Sequence, residues 1–380
     1  MEFLKRCRAE ISLDSIRYNA QQYKKFLGPK TELLCVVKAN CYGHSDKIIV
    51  PFLEKELGVS WFAVANLTEA VRLREEGIKG NILILGMTPC EYADELVKYD
   101  IIQACTELSY AEDLCRCETS GRVRLHCAID TGMTRIGLTG TPEENAEQLL
   151  AISKLEGVKL EGIFTHYACA DTPDEESCAY TAMQTGRIKE TARLAREKGV
   201  ELSQVHFLNS AGGIHHYDSE STLARLGIIL YGLYPDADTP LPFVPEPVMT
   251  FVGMISQVKT IMPGTSVSYG RTFSAQKEMK LATVCVGYAD GYPRALSNKG
   301  EVLINGHRCR ITGRVCMDQF MCDVTDAGEV KPGDEAVLIG RQGSEQITAD
   351  DIAKLTGTIG YEIVCGISQR VPRVCASQTF

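Results

Sequence analysis

Nothing in this sequence is long and apolar enough to cross a membrane. Runs such as Ile82–Leu85 and Ile228–Leu230 fall far short of the roughly 18 residues that a spanning helix needs. An excess of basic residues is also missing. Lys and Arg number 40 against 49 Asp and Glu, a formal net charge of −9. That balance excludes the basic footprint of broad nucleic-acid or anionic-membrane binding. Met1 to Glu10 carry Arg and Lys but no apolar stretch of a secretory signal, so a cytoplasmic chain is expected. Sixteen cysteines contain no C-x-x-C pair, and the closest two are Cys115 and Cys117. Cys35, Cys127, Cys285, Cys316 and Cys365 lie in apolar, strand-like runs, where a free thiol packs as a small hydrophobe. Reduced cysteines are expected, not a metal site or a disulfide framework. No G-x-G-x-x-G or Walker loop is present, so a nucleotide reading has no support. What is there is 44% hydrophobic and 23% charged, in globular proportion, and 380 residues suffice for two domains.

Between about Glu32 and Gly232, short β-like runs alternate with helical patterns. The runs are Leu33–Ala39, Trp61–Asn66, Ile82–Gly86, Ile101–Thr106, Val123–Asp130, Leu160–Tyr167, Val205–Ser210 and Leu223–Gly232. Asn66 and Glu69 are spaced as a capping box, Gly77 stops that helix, and Gly199 stops another running through Thr181–Lys198. Eight strand–helix units predict a (β/α)8 TIM barrel, an α/β fold. A doubly wound open sheet is the alternative, because strand counting cannot show closure. Five prolines from Pro235 to Pro247 then mark a linker, after which strand patterns follow without long helices. Asn305-Gly306 reads as a two-residue hairpin turn between Val302–Ile304 and Cys309–Ile311. Asp334–Gly340 reads as a strand, and a short helix starts near Thr348. The expected division is a barrel over 10–242 and a mostly β C-terminal domain over 243–380, with residues 1–9 packing on the latter.

Barrel chemistry collects at the C-terminal ends of the strands. The first strand runs into Lys38, where desolvation lowers an amine's pKa and suits Schiff-base chemistry; a plain surface lysine is the alternative. After the fifth strand, Gly132 permits a turn that returns Arg135 toward the mouth, to fix a phenolate or carboxylate or merely to close a loop salt bridge. The sixth ends in Thr165-His166-Tyr167, whose imidazole is either structural or stacked on a flat ring. The seventh ends in Asn209-Ser210, and the eighth contains Arg225-Leu226-Gly227-Ile228. Loops after the last two strands commonly bind phosphate, and Ser210 and Gly227 supply a hydroxyl and approachable backbone. A lysine, a phosphate cradle and ring-contacting groups together point to pyridoxal 5′-phosphate.

Val37-Lys38-Ala39-Asn40-Cys41-Tyr42-Gly43-His44 resembles the cofactor-lysine motif of alanine racemases, which usually reads VKADAYGHG. The resemblance continues through Asp130–Arg135, Thr165–Ala168, Asn209-Ser210 and Arg225–Ile228. It reaches the second domain at Val267–Gly270, Gly287–Gly291, Cys316–Gln319 and Tyr361-Glu362, nearly the whole chain in family order. It implies that Lys38 carries the cofactor as a Schiff base and is one catalytic base. Tyr269 would be the opposite base, supplied by the second subunit of a homodimer with shared sites. Arg225 would sit at the pyridine nitrogen and keep it unprotonated, weakening the electron sink and suppressing transamination, with His166 behind the ring. Tyr42, Asn209, Ser210, Gly227, Ile228 and Tyr361 would bind the cofactor, mostly its phosphate. Arg135 would meet the ring phenolate and the substrate carboxylate, and Met317 would give that carboxylate a backbone N–H. Tyr288, Arg294, Arg314 and Asp318 would line the access channel. Two bases on opposite faces of Cα racemise without turning the substrate, and a tyrosine base needs cationic neighbours to lower its pKa from near 10.

Three positions depart from the family pattern. Asn40-Cys41 replaces Asp-Ala, and Thr134 replaces a common Gly. Ala128 stands where many relatives have a carbamylated lysine, so Arg135 is expected to find a chloride, Asp130 or water in its place. A serine racemase is the nearest alternative, though vancomycin-resistance serine racemases typically carry Asn at the Tyr361 position and a membrane domain. An amino-acid decarboxylase of the same barrel class is a further alternative; the motifs matched above do not include the Cys–Asp substrate motif expected of its second domain. A non-catalytic pyridoxal-phosphate carrier is the alternative outside enzymes, and Tyr269 and Met317 speak against it.

Overall fold

The computed structural model describes residues 6–236 and 239–376. After strand β1 (Cys7–Ile11) come eight strands: β2 (Glu32–Val36), β3 (Trp61–Val64), β4 (Asn81–Ile84), β5 (Ile101–Cys105), β6 (Val123–Ala128), β7 (Val158–Phe164), β8 (Gln204–His206) and β9 (Leu223–Leu226). All pair parallel in chain order, and β9 returns to β2 with Leu34 opposite Arg225. Between β8 and β9 the ladder thins to the bridge Leu208↔Ala224, where the Arg225 N–H donates to the Leu208 carbonyl at 2.9 Å. The sheet therefore closes. Barrel, not open sheet, is the outcome.

Each strand falls inside one of the apolar runs or overlaps it, but most runs overshoot the C-terminal end. The last is the largest case: β9 stops at Leu226, and Ile228–Tyr231 coils into a 3-10 turn after Gly227. Helix capping also differs in detail from the sequence pattern. Asn66 caps the helix Leu67–Glu75 by accepting from the Glu69 N–H at 3.0 Å. The Glu69 carboxylate does not return to Asn66, however; it accepts from the Ala39 and Ala65 amides, at 2.8 Å each. The long helix Glu175–Glu197 starts before Thr181 because Asp174 caps it, and Gly199 at φ 88° follows its end.

The second sheet is built on β10 (Met249–Ile261), which pairs antiparallel with β1, Met279–Val284 and Glu335–Gln342. The N-terminal strand thus lies in this sheet, from Cys7↔Gly253 to Ile11↔Met249. Asn305 and Gly306 take φ 51° and 78°, the left-handed pair a tight hairpin needs. The return strand begins at His307, two residues earlier than the pattern indicated. Thr348 and Asp351 form a full capping box on Ala349–Thr356, after which Gly360–Gly366 runs back to the barrel mouth. All sixteen cysteines are free.

Candidate active site

A cavity of about 650 Å³ opens at the C-terminal ends of the barrel strands. It is lined by Lys38, Tyr42, Arg135, His166, Asn209, Ser210, Arg225, Gly227 and Ile228 from the barrel, and by Tyr361 from the second domain. Ten of the sequence-derived residues are thus brought together.

Lys38 leaves β2 into an unusual turn. Ala39, Asn40, Cys41 and Tyr42 hold φ of 52–56° and Gly43 φ of 82°, one turn of left-handed helix. For L-residues this conformation costs roughly 1–2 kcal/mol each, so neighbours must enforce it. The Gly43 amide donates to the Ala39 carbonyl at 2.9 Å, and the Asp46 amide to Asn40 Oδ1 at 2.9 Å. Buried His44 places Nδ1 3.0 Å from both the Cys41 and Tyr42 carbonyls, and burial pushes its pKa down to about 4. Its Nδ1 therefore carries a proton and donates. The turn sets Lys38 and Tyr42 in the same cavity. Burial lowers the Lys38 pKa, and the charge of Arg135 lowers it further.

Arg225 forms the rear wall and is 3% exposed. Nη1 donates to the His206 carbonyl and Nδ1, each at 3.0 Å. Nη2 donates to the Thr165 carbonyl at 2.6 Å and lies 3.4 Å from His166 Nδ1. No carboxylate pairs with this guanidinium among the described residues, and burial brings its pKa down to about 10. It stays charged at neutral pH. His166 is held neutral, at about 3, by burial and by the charges of Arg225, Arg135 and Lys38.

Another part of the cavity wall is a cradle. The Gly227 amide donates to Ser210 Oγ at 2.9 Å. A Cβ at Gly227 would lie 3.1 Å from Tyr42 Oη and 3.6 Å from Ser210 Oγ, so a side chain there would fill the space between the hydroxyls. Tyr42 and Tyr361 rings lie 6.2 Å apart. Asn209 supports the loop, its Oδ1 accepting from the Gly212 amide at 2.7 Å.

At the rim, Arg135 is exposed and has no ion-pair partner among the described residues. Asp130, weighed as its anion, is used elsewhere: Oδ1 accepts from the Gly132 and Thr134 amides, at 3.0 and 2.9 Å. Asp130 and Arg135 form no ion pair among the described residues. Ala128 is buried in a small apolar cluster with Ala104 and Phe164.

Tyr269, Tyr288, Met317 and Asp318 do not join the cavity of their own chain. Tyr269 is 72% exposed and Met317 53%, on the second domain. Asp318 pairs with Arg370 at 2.8 Å, and Arg370 also reaches buried Asp290 at 3.1 Å.

Residues 11–235 match the family description "Alanine racemase, N-terminal domain", and residues 248–375 match "Alanine racemase, C-terminal domain". Alanine racemase 1 of Clostridium acetobutylicum is 42% identical over 369 residues, 96% of this chain and 94% of that protein. The chain belongs to the alanine racemase family. The solved alanine racemase of Clostridium difficile 630 has a TM-score of 0.91 at 37% identity, covering 99% of this chain and 97% of that one. The Bacillus anthracis alanine racemase, solved with bound L-Ala-P, also gives 0.91, at 35% identity with 100% and 97% coverage.

Sequence reading missed other members of the alanine racemase pocket. Asp171 and Cys365 line it, and no motif flags them. His126 and His206 behind Arg225 did carry a signal: His126 sits between Leu125 and Cys127 and His206 between Val205 and Phe207, where an unpartnered polar group would be costly.

Proposed function

We propose that this protein interconverts L- and D-alanine on pyridoxal 5′-phosphate in the barrel-mouth cavity. The observation that carries the reading is one cavity holding a desolvated lysine, a hydroxyl cradle and a buried arginine without a carboxylate. The cofactor fits this donor set. Lys38 supplies an amine for its aldehyde; Tyr42, Ser210, Gly227, Ile228 and Tyr361 supply hydroxyls and amides for its phosphate, with Asn209 behind them. When bound, pyridoxal phosphate withdraws electrons from the bonds at an amino acid's Cα, which makes the α-proton removable.

The chain's own groups do the rest. Lys38, with its pKa lowered, has an unprotonated fraction that can take a proton from one face of Cα and return it. Arg225 stays charged and has no proton to release near neutral pH, so an acceptor beside it receives a hydrogen bond and not a proton. Neutral His166 accepts from Arg225 and adds no charge to the rear wall. Arg135, exposed at the rim, is free to bind the substrate carboxylate bidentately.

The other face of Cα needs a second group, and the exposed Tyr269, Tyr288 and Met317 support its supply by a partner. We place Tyr269 of each subunit as the opposite base in a homodimer. The Met317 amide then meets the substrate carboxylate, and Tyr288 and Asp318 line the approach. We keep the division into a barrel over 10–242 and a C-terminal domain over 243–380, with the strand Cys7–Ile11 joining the sheet of the latter. Free cysteines support a reducing cytoplasm, where D-alanine would supply peptidoglycan.

The test is polarimetry of L-alanine with L-serine alongside, on protein loaded with pyridoxal phosphate. Alanine is expected to lose optical activity faster. Faster serine racemisation would replace the substrate assignment. Bound cofactor with neither amino acid racemised would leave a carrier instead of an enzyme.

A further inference from the structure

His126 of β6 and His206 of β8 are both fully buried inside the barrel. His126 Nδ1 lies 3.0 Å from His206 Nε2, and His206 Nδ1 lies 3.0 Å from Arg225 Nη1. Chemistry fixes the direction of this chain, because a guanidinium nitrogen can only donate. His206 Nδ1 must therefore be bare, and its proton sits on Nε2. That N–H donates to His126 Nδ1, which must be bare in turn. The His126 proton is left on Nε2, an atom with no partner among the described residues. A second proton on His206 would oppose the Arg225 N–H, and one on His126 Nδ1 would oppose the His206 N–H. Both rings are locked neutral, and burial acts in the same sense, holding His126 at about 4 and His206 well below its ordinary value.

The lock determines what Arg225 offers the cavity. Nη1 is taken by His206 Nδ1 and its carbonyl, and Nη2 by the Thr165 and Phe207 carbonyls and His166. Only Nε–H is left for an acceptor in the cavity that Arg225 lines. Every partner is neutral. A carboxylate in place of His206 would hold the side chain equally well but would neutralise its field at the site.

We propose that His206 and His126 are positioning residues for racemisation: a tautomer-locked pair that aims Arg225 Nε at the cofactor ring and leaves the guanidinium without a counter-anion. This rests on Arg225 being the ring-nitrogen partner. His126 touches neither the cavity nor Arg225, and acts by keeping the His206 proton on Nε2. Without its acceptor, that N–H becomes a buried orphan, and moving the proton to Nδ1 would set it against Arg225.

Variants at His126 separate this role from packing. Asparagine retains an acceptor near the Nδ1 position, whereas leucine removes it. The readout is pyruvate released by transamination per alanine racemised, a ratio that simple loss of folded enzyme leaves constant. His126→Leu should raise this ratio about tenfold, the worth of one charge-assisted hydrogen bond, and shift the absorbance of the bound cofactor. His126→Asn should restore both toward the wild type. If Leu and Asn lower racemisation alike with the ratio unchanged, the pair is structural and the proposal falls. Nitrogen NMR of labelled histidine in cofactor-free wild-type protein provides a test that needs no variant. Nε2–H on both rings is expected, and Nδ1–H on His206 overturns the lock. Failure of the wild type to bind pyridoxal phosphate would instead overturn the cavity reading, without bearing on the tautomers.

Discussion

Lys38 owes its lowered pKa to burial first and to Arg135 second, while Glu69 pulls in the opposite direction. No other lysine lines the cavity, so nothing stands ready to replace its amine. Lys38→Ala should reduce racemisation by about a thousandfold or more and abolish the visible absorbance of bound cofactor. Persistence of that absorbance, with cofactor confirmed after denaturation, would remove Lys38 from its role. Ala128 argues at the same scale. Its methyl group cannot be carbamylated, and Asp130 is tied to its own loop, so Arg135 has no protein anion beside it among the described residues. Activity should therefore be indifferent to bicarbonate and should rise with chloride at constant ionic strength. Ala128→Lys should weaken the chloride response. Water as the only neighbour of Arg135, with kinetics flat in chloride, would sink this account.

The left-handed turn after β2 shows where sequence reading reaches and where it stops. Apolar runs located all eight barrel strands, because a strand buried on both faces has to be apolar throughout. Strand ends are less legible: apolar residues continue through Gly227 and Ile228 although the backbone has already turned. The turn's handedness is not written in Ala39, Asn40 or Cys41 at all, although Asn40 is the type that best tolerates it. It is imposed from outside, by His44, Glu69 and the second domain. The two histidines behind Arg225 stand out as polar residues among apolar ones, but their pairing was hidden, since contact across the barrel depends on registry that periodicity does not give. Exposed Ala39, at φ 52°, provides a sharp test. Ala39→Gly relieves roughly 1 kcal/mol of backbone strain against about 0.4–1 kcal/mol of unfolded-chain entropy, so stability should hold or rise. Gly43→Ala should do the reverse, because its Cβ would lie 2.2 Å from the Val364 carbonyl oxygen. A loss above about 2 kcal/mol in urea denaturation is expected there, and a neutral result would mean the turn is not clamped.

For the molecule as a whole, charge and interface make separate demands. His44, His126, His166 and His206 all have folded pKa values below the ordinary 6.5. The unfolded chain thus binds protons that the folded one refuses, and stability present above pH 6.5 is lost as pH falls toward about 4. Each histidine contributes up to about 1.4 kcal/mol per pH unit in that window. Urea midpoints should drop from pH 7 to pH 5, less steeply in His126→Asn, and a flat profile would contradict the neutral assignments. The interface demand comes from Tyr269, which is 72% exposed and outside its own chain's cavity. Tyr269→Phe should nearly stop racemisation while cofactor stays bound. Mixed with Lys38→Ala protein, it should regain activity, because a hybrid dimer pairs an intact Lys38 with an intact Tyr269 at one of its two sites. Random exchange makes about half the dimers hybrid, so the expected recovery is about a quarter of the wild-type rate. Subunit exchange proven by mass spectrometry with no recovery would mean that each chain completes its own site, and the shared-site arrangement would be wrong.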